Sequence, residues 1–244
     1  MKVLITGGSR GIGFGIAKRF ANEGASVAIT YRSNESRAAD AREELLKAGA
    51  RDVKVFALDV TQSAEVDEVV DQVIFDLDGL HVLVNNAGIM ENQAAAMMSD
   101  EAWHNVIATN LTGPFFVARA ALTHFMMERF GRIINISSIA QDGASGQANY
   151  AASKAGLLGL TRSLAKEYGP RGITANLVIP GLIETELIEE VDQRIKDHWE
   201  TFCPVQRLGT VDDVAAAVYF LSQREAGFIN GALLHTTGGL DVAP

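Results

Sequence analysis

A glycine-rich turn directly follows the first apolar segment of the chain and reads Thr6-Gly7-Gly8-Ser9-Arg10-Gly11-Ile12-Gly13. The segment before it, Lys2-Val3-Leu4-Ile5, has the composition of a buried strand, and the residues after it have the pattern of a helix. Glycine tolerates positive φ and lets backbone N–H groups approach a pyrophosphate, whose charge the helix N-terminus stabilises. This strand–turn–helix context predicts a dinucleotide-binding site.

Short apolar segments alternate with longer amphipathic ones along the rest of the chain, which is typical of βαβ units in a parallel sheet. The expected strands are Lys2–Ile5, Ser26–Tyr31, Val53–Ala57, Val82–Val84, Arg132–Ile136, Thr174–Val178 and Leu233–His235. The expected helices are Gly11–Glu23, Glu35–Ala48, Ala64–Asp76, Asp100–Arg129, Tyr150–Tyr168, Glu186–Trp199 and Asp212–Leu221, the last with a capping box formed by Thr210 and Asp213. We therefore predict an α/β fold, a single Rossmann-type, doubly wound, seven-stranded parallel sheet flanked by helices, in one domain over residues 1–244. The acidic segment 182–208 is expected to be either a flap over a site or an exposed structural helix.

Composition excludes several classes of protein. A net charge of −9 disfavours non-specific binding to nucleic acid or to anionic lipid. The single cysteine, Cys203, cannot form an intrachain disulfide, and the strand-like N-terminus leaves no room for a signal peptide, so a cytoplasmic location is expected. The histidines are scattered without ligand spacing, and no metal site is expected.

The end of the second expected strand predicts the type of dinucleotide. A carboxylate at this position would bind the adenosine ribose, whereas arginine accommodates a 2′-phosphate. The chain has Tyr31-Arg32-Ser33 here, with Arg10 available in the glycine-rich turn, so NADP(H) is favoured over NAD(H). Asp59, before Val60, is a candidate acceptor for the adenine amine or a helix N-cap.

Tyr150 and Lys154 are four positions apart, which places both side chains on one face of a helix. A neighbouring ammonium stabilises a phenolate, so the lysine is expected to lower the pKa of the tyrosine. Ser137 and Ser138 end an expected strand, at the edge where open α/β sheets bind their ligands, and Asn85-Asn86-Ala87-Gly88 ends another strand there. Asn110, inside an expected helix, needs either a buried polar role or an exposed position.

Together these motifs resemble the short-chain dehydrogenase/reductases over essentially the whole chain, and they are most similar to β-ketoacyl-acyl carrier protein reductases and acetoacetyl-CoA reductases. The resemblance implies NADPH-dependent reduction of a ketone, most simply a 3-oxoacyl thioester, with Tyr150 as general acid/base, Ser138 on the carbonyl oxygen and Lys154 on the nicotinamide ribose. It also implies a water-mediated proton relay at Asn110. The expected cofactor contacts are Gly7, Ser9, Arg10, Gly11, Ile12, Gly13, Tyr31, Arg32, Ser33, Asp59, Val60, Asn86, Ala87, Gly88, Tyr150, Lys154, Pro180, Gly181, Ile183 and Thr185.

The chain departs from the family at one spacing. Relatives usually have twelve residues between serine and tyrosine, whereas Ser138 leaves eleven here and Ser137 leaves twelve. Ser138 is favoured because the preceding strand matches the family in register, and a slip by one residue would turn the side chain to the other face.

The same motifs leave other functions open, and the resemblance also bears on assembly and on a protein partner. The alternatives are an alcohol, sugar or steroid dehydrogenase of the same family and a dinucleotide-binding sensor without catalysis. The resemblance also implies a homotetramer built on the two long helices and a docking role for Arg129 and Arg171 toward an acidic acyl carrier protein. These arginines could equally be ordinary helix-end residues.

Overall fold

A computed structural model describes residues 1–186 and 193–241 of the chain. The described residues form a seven-stranded parallel sheet in the order β3-β2-β1-β4-β5-β6-β7. The strands are β1 Lys2–Ile5, β2 Ser26–Tyr31, β3 Asp52–Ala57, β4 Val82–Asn85, β5 Gly131–Ile136, β6 Ile173–Pro180 and β7 Leu233–Thr236. This order confirms the predicted doubly wound architecture, and the expected strands agree with the observed ones within one or two residues.

The helices cover both faces of the sheet. They are α1 Gly11–Asn22, α2 Glu35–Lys47, α3 Ser63–Asp76, α4 Asp100–Ile107, α5 Gly113–Glu128, α6 Ala148–Tyr168, α7 Gln193–Phe202 and α8 Val211–Ser222. The predicted capping box is present, because the Thr210 side chain accepts from the Asp213 N–H and the Asp213 carboxylate accepts from the Thr210 N–H. The predicted helix Glu186–Trp199 lies partly outside the described residues.

The core has two large layers, one on each face of the sheet. Phe20 of α1 and Val214 of α8 belong to one apolar cluster, and Phe125 of α5 and Val70 of α3 belong to the other. The central strands β4, β5 and β6 are buried along their whole length, which explains why their sequences are mostly apolar and do not alternate. Burial on both faces holds the carboxyl ends of these strands rigidly.

The expected helix Asp100–Arg129 is helical from Asp100 to Glu128, but it is not one regular α-helix. The chain forms α4, a π-helical segment over Ala108–Thr112 and then α5. Pro114 explains the break, because it has no N–H to donate to the carbonyl of Asn110 and its ring clashes with that carbonyl in a regular helix. Arg129 then ends α5 with φ of 49°, in the left-handed region.

β1 lies between β2 and β4, so the chain reverses its direction of winding at this point. Ligands of open α/β sheets bind outside the carboxyl ends of the strands next to such a reversal. The glycine-rich turn follows β1 and Asn86 follows β4, so both lie at this crevice. Within the described residues no helix is long and apolar enough to cross a membrane.

Candidate active site

The glycine-rich turn forms a cradle that side chains would fill. Gly7 and Gly11 have φ of 63° and 54°, a region that L residues rarely adopt. A Cβ on Gly13 would lie 2.4 Å from the carbonyl oxygen of Gly7 and 2.5 Å from Nδ2 of Asn86. The turn leads directly into α1, so backbone N–H groups and a helix N-terminus face the crevice. The residues present therefore fit the pyrophosphate of a dinucleotide.

Arg10 and Arg32 both expose their side chains beside this cradle. Arg32 forms an ion pair with Asp59, 3.1 Å from Nη2 to Oδ2, so the two residues expected to bind adenosine groups contact each other. Burial raises the pKa of Asp59, but hydrogen bonds from Thr61 and the Arg32 guanidinium outweigh it and hold the pKa below its usual value. Asp59 thus stays ionised at neutral pH and fixes the direction of Arg32.

The loop after β4 is fastened to the glycine-rich turn. The Asn86 side chain donates to the carbonyl oxygens of Thr6 and Gly7 at 3.0 and 3.1 Å. The buried Thr6 hydroxyl accepts from the N–H groups of Asn86 and Ala87 at 3.0 and 3.1 Å. Thr6, which sequence reasoning did not single out, therefore sets the position of this loop; its place between the strand and the first glycine was the available signal.

Asn110 lies at the centre of the π-helical segment and is fully buried. Its side chain accepts from the N–H of Ile89 at 2.8 Å and donates to the Ile89 carbonyl at 2.9 Å and to the Ser153 hydroxyl at 3.2 Å. These contacts occupy the amide. The backbone carbonyl of Asn110 receives no hydrogen bond from residue 114, because proline has no N–H.

Gly88 brings the loop after β4 close to both Asn110 and Lys154. A Cβ at Gly88 would lie 3.2 Å from Oδ1 of Asn110 and 3.6 Å from Nζ of Lys154. The absence of a side chain here keeps the space beside the lysine open toward the crevice.

The end of β5 and the start of α6 bring Ser138, Tyr150 and Lys154 together. The Ser138 side chain faces the Tyr150 hydroxyl; burial raises the pKa of Tyr150, and the neighbouring Ser138 hydroxyl acts in the opposite direction. Lys154 is 4% exposed and donates from Nζ to the carbonyl of Ile136 at 2.9 Å. Burial lowers the pKa of Lys154 to about 8.

These pKa directions differ from the sequence expectation. Lys154 Nζ lies 5.5 Å from the centre of the Tyr150 ring, yet the pKa of the tyrosine is raised because burial disfavours the phenolate. At neutral pH Tyr150 therefore carries its proton and Lys154 is mostly charged. This is the protonation state that a proton donor to a carbonyl requires.

Ser137 and Ser138 point in different directions. Ser138 faces Tyr150, whereas the buried Ser137 hydroxyl lies 3.1 Å from the backbone carbonyl of Lys154 and 2.8 Å from Oε1 of Gln141. The residue favoured by strand register is thus the one beside the tyrosine.

The segment after β6 closes the site from the other side. A Cβ on Gly181, which follows Pro180, would lie 2.9 Å from the Cα of Thr237. Ile183 is buried and forms a β-bridge with Gly209. The methyl group of Thr185 would lie 3.9 Å from a Cβ on Gly11, so this segment lies against the glycine-rich turn.

Beyond Thr185, Glu186 accepts from Arg37 at 3.0 Å, an ion pair between this segment and the first turn of α2. Residues 187–192 of the expected flap lie outside the described residues. Arg37 was not foreseen, because nothing in the sequence indicates a partner 149 positions away.

A cradle for a dinucleotide beside a buried lysine and a facing serine–tyrosine pair defines a nicotinamide-dependent oxidoreductase. The sequence model of the family described as enoyl-(acyl carrier protein) reductase matches residues 7–241. The chain is 40% identical over 239 residues to a 3-oxoacyl-[acyl-carrier-protein] reductase of Haemophilus influenzae, covering 97% of this chain and 96% of that protein. It is 39% identical over 240 residues to the protein of the same name from Aquifex aeolicus, with 97% and 96% covered.

A solved structure described as a short-chain alcohol dehydrogenase from Sinorhizobium meliloti 1021 has a TM-score of 0.95 and 32% identity, covering 100% of this chain and 97% of that one. The chain belongs to the short-chain dehydrogenase/reductase family.

Proposed function

We propose that the chain reduces the 3-oxo group of an acyl thioester to a secondary alcohol with NADPH. The proximity of Ser138, Tyr150 and the buried Lys154, whose Nζ lies 5.5 Å from the centre of the Tyr150 ring, carries the proposal. The names of the relatives, 3-oxoacyl-[acyl-carrier-protein] reductases, support the substrate class. We also propose that the protein is cytoplasmic and that it has a single domain with a flap over 182–208.

The proposed roles follow from the contacts. When bound, NADPH supplies the hydride that reduces the carbonyl carbon. Ser138 donates a hydrogen bond to the carbonyl oxygen, and Tyr150 transfers its phenolic proton to that oxygen as negative charge develops there. The Lys154 ammonium stabilises the resulting phenolate, which regains a proton from solvent through the Asn110 region. Because burial keeps Tyr150 protonated, the reductive direction is favoured over alcohol oxidation, which needs the phenolate.

A panel of substrates tests this function. NADPH consumption is measured with a 3-oxoacyl thioester on carrier protein and on coenzyme A, a cyclic ketone, and a 2-enoyl thioester of matched chain length. We expect consumption with the 3-oxo thioesters and a 3-hydroxy product by mass spectrometry. Consumption with the enoyl thioester alone would overturn the assignment, and NADPH binding without turnover on any substrate would support a non-catalytic sensor.

The preference for NADPH is proposed to rest on Arg10 and Arg32, which flank the cradle and offer guanidinium groups to a 2′-phosphate. Arg32→Ala should raise the KM for NADPH about tenfold or more and leave that for NADH unchanged, since one charge-assisted contact to phosphate is lost. Arg51→Ala is the matched control, because Arg51 is an exposed arginine at the other end of the sheet. Equal kcat/KM for both cofactors in the wild type would contradict this part.

Docking of an acidic carrier protein is proposed at Arg129 and Arg171, which are exposed and adjacent, since a Cβ on Gly172 would touch the Arg129 carbonyl. Both lie at the amino ends of β5 and β6, whereas Ser138 lies at the carboxyl end of β5. The six residues of β5 span about 20 Å. The carrier would therefore deliver its acyl group over that distance, or to a neighbouring subunit of the proposed homotetramer.

The double variant Arg129→Glu, Arg171→Glu tests the docking. Activity on the carrier-linked substrate should fall at least tenfold while activity on the free thioester persists. The net charge of −9 repels an acidic carrier, so only local positive charge at these arginines can attract it. Arg51→Glu controls for reversing the charge of an exposed arginine away from the proposed docking surface. Equal losses on both substrates would make the arginines structural.

A further inference from the structure

Ser137 makes contacts that the proposed chemistry does not use. Its hydroxyl is buried, it lies 3.1 Å from the backbone carbonyl of Lys154, and it lies 2.8 Å from the side-chain oxygen of Gln141. Its own N–H donates to the carbonyl of Val178 on β6 at 2.8 Å. Ser137 therefore links β5, β6, the following turn and α6 at one point.

Consecutive residues at the end of β5 contact the catalytic face of α6 in order. The carbonyl of Ile136 accepts from Nζ of Lys154 at 2.9 Å, the Ser137 hydroxyl lies 3.1 Å from the carbonyl of Lys154, and the Ser138 side chain faces the Tyr150 hydroxyl. The middle contact is the only one of these three that joins the strand to the backbone of the helix. Together with the buried hydrogen bond from the Asn135 amide to the Thr161 hydroxyl, 2.8 Å, it ties α6 to β5.

Gln141 extends this link into the turn that carries Ser138. The Ser137 hydroxyl has one proton and two acceptors within hydrogen-bond distance, Oε1 of Gln141 at 2.8 Å and the Lys154 carbonyl at 3.1 Å, so it bridges the turn and the helix. The same 3-10 turn, Ile139–Asp142, orients Ser138, whose hydroxyl accepts from the N–H of Ala140 at 3.2 Å.

We propose that Ser137 and Gln141 form a positioning pair that holds α6 in register with β5 and so sets the approach of Ser138, Tyr150 and Lys154. The pair contacts neither substrate nor cofactor in this role and acts through the backbone of Lys154. The inference rests on the proposed reductase function for its kinetic readout.

Three variants separate positioning from other roles. Ser137→Ala removes the link, Ser137→Thr keeps the hydroxyl, and Gln141→Met removes the amide acceptor at similar length. Ser137→Ala should lower kcat three- to tenfold, the effect of losing one buried hydrogen bond. It should also weaken NADPH binding two- to fivefold, because Lys154 is the expected ribose contact. Ser137→Thr should recover most of both losses, and Gln141→Met should show half of the effect or less.

The pH profile gives a readout that a purely structural role would not move. A looser fit of α6 admits water to Lys154, so the decline of NADPH affinity at alkaline pH should shift to higher pH in Ser137→Ala. Unchanged affinity and pH profile in that variant would overturn the proposal, and a loss as large as that of Ser138→Ala would make Ser137 a substrate ligand instead. If Ser137→Ala does not fold, Gln141→Met on the partly exposed turn decides. NADPH binding by fluorescence needs no substrate, so it tests the pair even if no 3-oxo thioester is reduced.

Discussion

Replacing Gly13 by alanine tests the glycine-rich cradle most directly. The new Cβ would lie 2.4 Å from the Gly7 carbonyl oxygen, well inside the 3.0 Å below which side-chain carbons essentially never approach, and 2.5 Å from Nδ2 of Asn86. A methyl group has no rotamer that avoids these atoms. The backbone of the turn must therefore move, and a displacement near 1 Å at a binding site costs about 100-fold in rate.

We expect Gly13→Ala to lower kcat/KM for NADPH about 100-fold, which corresponds to a loss of ~2.7 kcal/mol of transition-state stabilisation. The assay is NADPH oxidation followed by absorbance, with cofactor affinity measured separately by fluorescence. Gly159→Ala is the matched control, because no atom lies within 4 Å of its Cβ position in α6. That variant should bind NADPH normally. If Gly13→Ala stays within threefold of the wild type, the turn does not hold the pyrophosphate.

The site and the opposite edge of the sheet give three more predictions. Tyr150→Phe should lower kcat by about 100- to 10,000-fold with NADPH affinity retained, since only the transferable proton is removed; more than a tenth of the wild-type rate would refute the role. NADPH affinity should fall as the pH rises through about 8, where Lys154 loses its charge, and Lys154→Met should abolish this dependence. His81 accepts from the N–H of Lys2, and burial together with the N-terminus and Lys2 lowers its pKa. Neutral His81 should stabilise the folded state above pH ~6.5. This stabilisation should be lost as the pH falls through the pKa of His81 in the folded state, because the histidine of the unfolded chain takes up its proton at a higher pH. Thermal midpoints between pH 7.5 and 5.5 should decline less in His81→Asn; an equal decline would remove His81 as the cause.

The sheet was predictable because its strands are buried on both faces and therefore have apolar segments of strand length. β5 and β6 illustrate this, since every residue of both is buried. The break between α4 and α5 was missed although Gly113-Pro114 marks it, because the apolar pattern continues across the proline. Periodicity reports which side of a helix is buried and is insensitive to one additional residue in a turn.

Contacts between distant residues could not be predicted from the sequence. The Arg32–Asp59 pair joins the ends of β2 and β3, and it exists because parallel neighbours bring those ends together. The raised pKa of Tyr150 also depends on burial, which a Y-x-x-x-K pattern does not encode. Spacing identified which side chains share a helix face, whereas their protonation depends on the surroundings.

The order of contacts along β5 has a consequence for how such chains are compared. Ile136, Ser137 and Ser138 meet α6 through the strand end itself, with support from the turn that holds Gln141, so residues 143–147 connect two elements whose relative position is already fixed. A deletion in that connection changes the count between serine and tyrosine without moving either. Alignment patterns of fixed length would discard this chain or assign the wrong serine, whereas a pattern with a variable gap anchored on the strand would retain it.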